Sequence, residues 1–259
     1  MYETITLNRS ERQAELVLNR PDALNAMDFT MMRELADCFE SLHTQQNIQV
    51  LVIRGEGKVF SAGGDIKMML QSDDFSDFGA IMEHITRLVK AYYTLPMLTI
   101  AQVHGAAAGL GLSLALGSDF LFSEENAKVA MNFIGIGLVP DGGGHFFMEQ
   151  RLGTHKAKQQ IWAGKMMTGS EAKKLGLVDE VTPDGHVAEA VQQLIQKLLQ
   201  APVAAMLQTK QLLHAQHLEQ LTNILEAEAV AQTKMRQSKD HLEGIQAFVQ
   251  KRKPTFTGK

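Results

Sequence analysis

The sequence predicts an α/β fold: a spiral of ββα units followed by a C-terminal helical region. Three observations predict it. Short apolar strands come in pairs before each amphipathic stretch over residues 1–138, in contrast to the single strands that alternate with helices in a doubly wound sheet. Glycine-rich runs follow several of the strands. After Pro183 the pattern is almost wholly helical.

The elements follow in order. Residues 4–8 and 14–18 read as strands about a polar turn, and Asn19-Arg20-Pro21-Asp22 breaks the chain. Asp28 is placed to cap a helix over 29–44, with Met31, Met32, Leu35, Phe39 and Leu42 on one face. Residues 50–54 form a short buried strand and 59–61 another extended piece. A helical turn is expected at 66–70, then a loop through Ser72-Asp73-Asp74. A helix over 78–94 ends before Pro96. Residues 98–103, 120–123 and 128–131 read as strands, and 109–116 as a helix despite its glycines. Helices are expected at 143–152, 155–163 and 170–175, then at 186–201, 202–217, 218–238 and 240–250. The expected division is a ββα-spiral acyl-CoA-binding core over 1–200 and a C-terminal helical region over 201–259.

Composition bounds the function. The 259 residues are 45% hydrophobic and 21% charged, ordinary for a globular protein with a self-sufficient core. A net charge of −4 argues against nucleic acid. Cys38 is the single cysteine, so no intramolecular disulfide forms, and its helical context suits a core residue. The N-terminal segment lacks the apolar core of a secretory signal, and residues 97–116 are too interrupted for a bilayer span. These readings predict a cytoplasmic protein without membrane partners. The nine histidines are scattered, so no metal is expected.

Three stretches carry possible chemistry. In Phe60-Ser61-Ala62-Gly63-Gly64-Asp65-Ile66-Lys67, small residues let a ligand approach the backbone, whose N–H groups can donate to a negative oxygen; a tight turn before a helix explains the same residues. His104-Gly105-Ala106-Ala107-Ala108-Gly109-Leu110-Gly111 passes from strand into helix with almost no bulk. It suits either an anionic oxygen at a helix N-terminus or close helix–strand packing. His104 is open to two readings, a general base or a buried, hydrogen-bonded residue. In Pro140-Asp141-Gly142-Gly143-Gly144, Asp141 either caps the next helix or projects a carboxylate into a cleft.

Together these stretches resemble the crotonase superfamily, the enoyl-CoA hydratase/isomerase family, over nearly the whole chain. Asn19-Arg20-Pro21-Asp22-Ala23-Leu24-Asn25-Ala26 is similar to its opening motif. The segment from Thr168-Gly169 to Val181 and the C-terminal Glu243-Gly244, Ala247-Phe248 and 251–256 are similar to its later blocks. The resemblance implies an acyl-CoA thioester substrate, with coenzyme A as part of the substrate and no separate cofactor. It carries two oxyanion donors onto the N–H groups of Gly64 and Leu110, where Leu110 replaces a frequent glycine. It places Ala23, Leu24, Ala26, Ala62, Gly63, Gly64, Asp65, Ile66, Leu110 and Phe133 along the substrate, and a cation among Lys251, Arg252 and Lys253 near phosphate.

Hydratases of the family use two glutamates, and the matching positions here are Ser113 and Phe133. Neither can deprotonate a water. The resemblance therefore implies an isomerase-like member with Asp141 as the single base. The alternatives are a hydratase with an atypical acid or base, with Asp73, Asp74 and Asp77 as loop acids to weigh, or a non-catalytic acyl-CoA binder. The resemblance also implies a homotrimer or homohexamer, with late apolar faces at Leu212, Leu213, Leu221, Leu225 and Val230 either packing on the core or joining subunits.

Overall fold

The structure is a computed structural model that describes residues 2–66 and 75–259. Its strands are β1 (Ile5–Arg9), β2 (Gln13–Leu18), β3 (Val50–Gly55), β4 (Leu98–Val103), β5 (Ala106–Ala108), β6 (Phe120–Glu124), β7 (Lys128–Ala130), β8 (Met167–Thr168) and β9 (Glu180–Thr182). Its α-helices are α1 (Phe29–Leu42), α2 (Phe75–Tyr93), α3 (Leu110–Leu116), α4 (Gly144–Ala163), α5 (Gly169–Leu175), α6 (Val187–Gln200), α7 (Val203–Arg236) and α8 (Lys239–Val249).

Among the described residues the larger sheet runs β1-β2-β3-β4-β6-β9, antiparallel only at β1–β2, and the smaller runs β5-β7-β8. From β2 to β9 the strands succeed one another in one direction. The sheet thus has no point where strand order reverses, and the chain winds as a spiral. Two isolated parallel bridges, Met27 to Gly64 and Ser61 to Ala107, extend the inner layer beyond β5. The piece expected at 59–61 is therefore a bridge partner and not a full strand.

Strands β3 and β4 are buried on both faces, which explains their continuous apolar runs. Leu51, Ile53 and Ala101 face the main core with α1 and α2, where Phe39 stacks on Tyr92 at 4.8 Å. Val50, Val52, Leu98 and Ile100 face α6, which contributes Val187, Val191, Ile195 and Leu198. Asp28 caps α1 as expected, its Oδ1 accepting from Met31 N–H at 2.8 Å. Cys38 is buried, and burial raises its thiol to about 11, which makes it inert.

Some boundaries differ from expectation. Strands β8 and β9 are two and three residues long, too short for a periodicity to register. α4 does divide near the expected place, at Gly153, whose φ of 71° and ψ of 156° are not helical. The two helices expected over 202–238 are one helix, α7, because no glycine or proline interrupts residues 203–236. Leu221 and Leu225 of α7 join the main core, whereas Leu212, Leu213 and Val230 are exposed. The turn expected at 66–70 and the loop at 72–74 lie outside the described residues, apart from Ile66. Among the described residues, no helix is long and apolar enough to cross a membrane.

Asn25 ties the first turn of the spiral to the inner layer. It is fully buried and left-handed, with φ of 52°. Its Oδ1 accepts from Arg20 N–H at 2.9 Å, and its Nδ2 donates to Glu56 O and Val59 O at 2.8 and 2.9 Å. Ser61 Oγ donates to its carbonyl at 2.7 Å. Asparagine tolerates this backbone better than most residues and here spends its whole side chain on main-chain groups. Asn25→Ala is expected to cost roughly 3 kcal/mol, from orphaned buried groups and backbone strain. Urea denaturation measures it, and a loss below about 1 kcal/mol would contradict this account.

Candidate active site

Two cavities share Gly64 and Phe133 as walls. The outer one, of about 270 Å³, is lined by residues including Ala62, Ile66, Gly109, Asn132, Ile136 and Phe248. The inner one, of about 20 Å³, is lined by Met32, Phe78, Ile81, Ile85, Leu110, Asp141 and Arg236 besides the shared pair. Hollows of about 310 and 420 Å³ lie elsewhere, but neither contains Gly64, Leu110 or Asp141. The small inner space is the one where backbone donors and a carboxylate meet, so chemistry outweighs size here.

Backbone packing consumes most of the amides at this place. Gly63 N–H donates to Ser61 Oγ, Asp65 N–H to Met27 O and Gly109 N–H to Ala130 O. Among the described residues, the amides of Gly64 and Leu110 have no protein acceptor. Leu110 is the first residue of α3, where amides have no intrahelical partner. Close packing requires the surrounding glycines. A Cβ on Gly63 would lie 2.6 Å from Ala108 O, and one on Gly111 would lie 2.7 Å from Ser61 Cβ. A Cβ on Gly142, at φ 65°, would meet Leu110 Cδ1 at 2.4 Å. Tight packing therefore accounts for the glycine runs, and Gly64 and Leu110 both line the inner cavity.

Asp141 does not cap the following helix. The N-cap of α4 is Gly143, and Glu228 of α7 takes its first amides, accepting from Gly143 N–H at 2.8 Å and His145 N–H at 3.1 Å. His145 Nδ1 also lies 2.8 Å from Glu228 Oε1. The Asp141 side chain instead meets Gln232, whose Nε2 donates to Oδ2 at 3.0 Å. Among the described residues, Asp141 Oδ1 is buried without a hydrogen-bond partner. Burial pushes the Asp141 carboxyl well above its ordinary range, the nearby Glu228 charge adds to this, and the Gln232 hydrogen bond partly opposes it. An unpaired buried acceptor costs about 1–3 kcal/mol, so the fold retains this group at a loss.

The other expected site residues fall as follows. Ala62, Gly64, Ile66, Leu110 and Phe133 line one or both cavities. Phe133 opens a 3-10 turn (Phe133–Ile136) and is not in a strand. Ala23, Leu24, Ala26, Gly63 and Asp65 line neither. They act on the backbone: Leu24 O accepts from Ala62 N–H, Gly63 O accepts from Met27 N–H, and Arg20 bonds both Ala26 O and Asp65. His104 is hydrogen-bonded to Gly57 O at 3.0 Å and lines neither cavity, as the structural reading expects, but it is half-buried and not buried. Ser113 donates to Asp141 O at 2.8 Å and so steadies the loop that carries the carboxylate. Arg252 is paired with Glu243. Lys67, Asp73 and Asp74 lie outside the described residues, as does the side chain of Asp77.

Glu228, Gln232 and Arg236 are the site-lining or site-adjacent residues that the sequence reading missed. They recur every four residues on α7, a polar stripe on a helix that also buries Leu221 and Leu225. That stripe is the signal that was available. Arg236 lies over the Phe78 ring, 4.5 Å from its centroid.

A family profile described as enoyl-CoA hydratase/isomerase matches residues 9–259. YhaR of Bacillus subtilis (strain 168), named for enoyl-CoA hydratase/isomerase, is 48% identical over 243 residues, with 94% of each chain covered. The 1,2-epoxyphenylacetyl-CoA isomerase of Escherichia coli (strain K12) is 32% identical over 262 residues, covering 100% of each chain. A solved structure of an enoyl-CoA hydratase from Mycobacterium avium subsp. paratuberculosis K-10 superposes with a TM-score of 0.90 at 33% identity, covering 99% of this chain and 100% of that one.

The raised carboxyl has a consequence for stability. Asp141 holds its proton more tightly when folded than unfolded. Its stabilising contribution is therefore complete below the ordinary value of 3.8 and is lost as pH rises through the higher folded value. Asp141→Asn removes the dependence. The variant's melting temperature is expected to gain on the wild type by roughly 3 °C per pH unit across that window. Calorimetric scans from pH 4.5 to 7.5 measure the gap, and a constant gap would contradict the burial argument.

Proposed function

This chain belongs to the enoyl-CoA hydratase/isomerase family, and from that premise we propose that it shifts a carbon–carbon double bond in an acyl-CoA thioester, with Asp141 as the base. One observation carries the reading: Asp141 lines the same inner cavity as Gly64 and Leu110, and among the described residues it is the one carboxylate there. The coarser activity, an acyl-CoA-processing enzyme, comes with the family. The choice of an isomerase rests on the site.

In the proposed reaction the thioester oxygen sits between the Gly64 and Leu110 amides. Asp141 takes a proton from C2 or C4, and the electron pair of that C–H bond delocalises into a dienolate. The amides hold the negative oxygen, each contributing on the order of 2.7–4 kcal/mol to the barrier. Asp141 returns the proton to the other carbon. Atoms and charge balance without a redox partner, so no cofactor beyond the substrate's own coenzyme A is needed. A carboxyl whose proton affinity is raised by burial is a stronger base once ionised, suited to a weakly acidic C–H.

Hydration is the less favoured reading. It needs a water held and deprotonated between two groups, and Ser113 and Phe133 occupy the positions of the family's glutamates. Ser113 is committed to the Asp141 carbonyl and Phe133 is apolar. Ring isomerisation is a related second reading, supported by the likeness to the 1,2-epoxyphenylacetyl-CoA isomerase. The proposed assembly is a homotrimer or homohexamer, supported by the exposed Leu212, Leu213 and Val230 of α7.

Asp141→Asn is expected to lower the double-bond shift of a 3-enoyl-CoA by about 10²–10⁴-fold. Affinity for a saturated acyl-CoA, measured by titration calorimetry, should stay within about twofold. Turnover undiminished in the folded variant removes Asp141 as the base. Water addition to crotonyl-CoA as fast as the isomerisation favours the hydratase reading instead.

A further inference from the structure

Helix α7 meets the Asp141 carboxylate through Gln232, whose amide hydrogen-bonds it. Gln232 is 1% exposed. Its Nε2 donates twice, to Val139 O at 2.7 Å and to Asp141 Oδ2 at 3.0 Å. Val139 O can only accept, so a flipped amide would set two acceptors against each other. The NH2 end is thereby fixed toward Oδ2. Among the described residues, Gln232 Oε1 is left buried and without a partner, like Asp141 Oδ1. A side chain retained for packing alone gains nothing from that arrangement, because methionine fills a similar volume with no dry acceptor.

We propose that Gln232 is a positioning residue: it ties Oδ2 of Asp141 to the Val139 main chain and so presents Oδ1 as the atom that takes the substrate proton. This rests on Asp141 being the base of the reaction set out above. With one oxygen tied, rotation of the carboxylate about its last torsion is restrained, and the second oxygen keeps one direction relative to the amides of Gly64 and Leu110. Proton transfer between fixed positions gains from such alignment. In the step itself the C–H bond breaks, its electron pair enters the enolate, and the proton bonds to Oδ1. The charged or titratable groups around Asp141 among the described residues are Glu228 and Arg236 on α7, and His145 on α4 through its bond to Glu228. Helices α1 and α2 present Met32, Phe78, Ile81 and Ile85 to the inner cavity.

Gln232→Met keeps the volume and removes both donors. Measured on a 3-enoyl-CoA, its kcat is expected to fall tenfold or more with KM within twofold. The acid limb of its kcat/KM profile should move to higher pH, since the carboxylate loses a donor. A folded Gln232→Met with wild-type kcat and an unmoved limb overturns the positioning role. Asp141→Asn, run in parallel, separates the two claims. If it is inactive while Gln232→Met is normal, only the role of Gln232 fails; if it turns over normally, the base assignment fails first. Should Gln232→Met not fold by circular dichroism, the isosteric Gln232→Glu reports instead. Its carboxylate beside Oδ2 should drive the limb upward, and an unmoved limb again overturns the proposal.

Discussion

The side-by-side packing of three main-chain segments, around Met27, residues 61–64 and Ala107, is the constraint from which the site follows. The Met27–Gly64 and Ser61–Ala107 bridges hold these segments in register. Their spacing leaves no room for side chains at Gly63 or Gly111. Hydrogen bonds within the layer consume the amides of Gly63, Asp65 and Gly109 but pass over those of Gly64 and Leu110. Two donors are thereby left beside one small space. Buried N–H groups without partners are rare in proteins because each carries a desolvation cost. Here Leu110 is buried and Gly64 half-buried, and both line a cavity that Asp141 also lines.

The carboxylate depends on a different part of the chain. Asp141 sits in a loop steadied by Ser113, while its side chain is met by Gln232 from a helix that begins more than sixty residues later. Glu228, one turn earlier on that helix, takes the amides at the start of α4. The same helix contributes Leu221 and Leu225 to the main core. The C-terminal helical region is therefore joined to the chemistry of the core, although residues such as Leu212 and Val230 remain exposed. Movement of α7 would loosen packing and alter the surroundings of Asp141 together.

Much of this was legible in the sequence because its signals are local. The Asp28 cap, the apolar face of α1 and the strand-to-helix passage at 103–116 are each written within one short stretch of chain. So are the glycines around Gly64 and Leu110, where the need for close approach dictates residue type. What stayed illegible depends on distant partners. Whether Asp141 caps α4 or enters a cavity is decided by Glu228, which occupies the cap's role from 85 residues away. Gln232 looks like a surface residue of a long helix until the Val139 carbonyl and Asp141 are placed against it. The two-helix reading of 202–238 failed for a local reason: the apolar pattern shifts along the segment, but no helix-breaking residue accompanies it.

The proposed isomerase chemistry accounts for the imbalance in the site's polar groups. A site that adds water must hold that water, and each of its hydrogen bonds needs a partner on the protein. Ser113 and Phe133 provide little for that: one hydroxyl is spent on a backbone carbonyl and one ring is apolar. A proton shuttle has the opposite requirement. It works with one acceptor left open on the substrate side, in surroundings dry enough that the acceptor prefers a proton to a hydration shell. Among the described residues Asp141 Oδ1 has no hydrogen-bond partner and the carboxyl is buried, which is what the proposed shuttle requires of them. The features that make this carboxylate expensive to fold, an unpaired oxygen and a neighbouring negative charge, are those that strengthen it as a base. Removing either would relieve the fold and weaken the proposed reaction, so stability and activity are set against each other at this one residue.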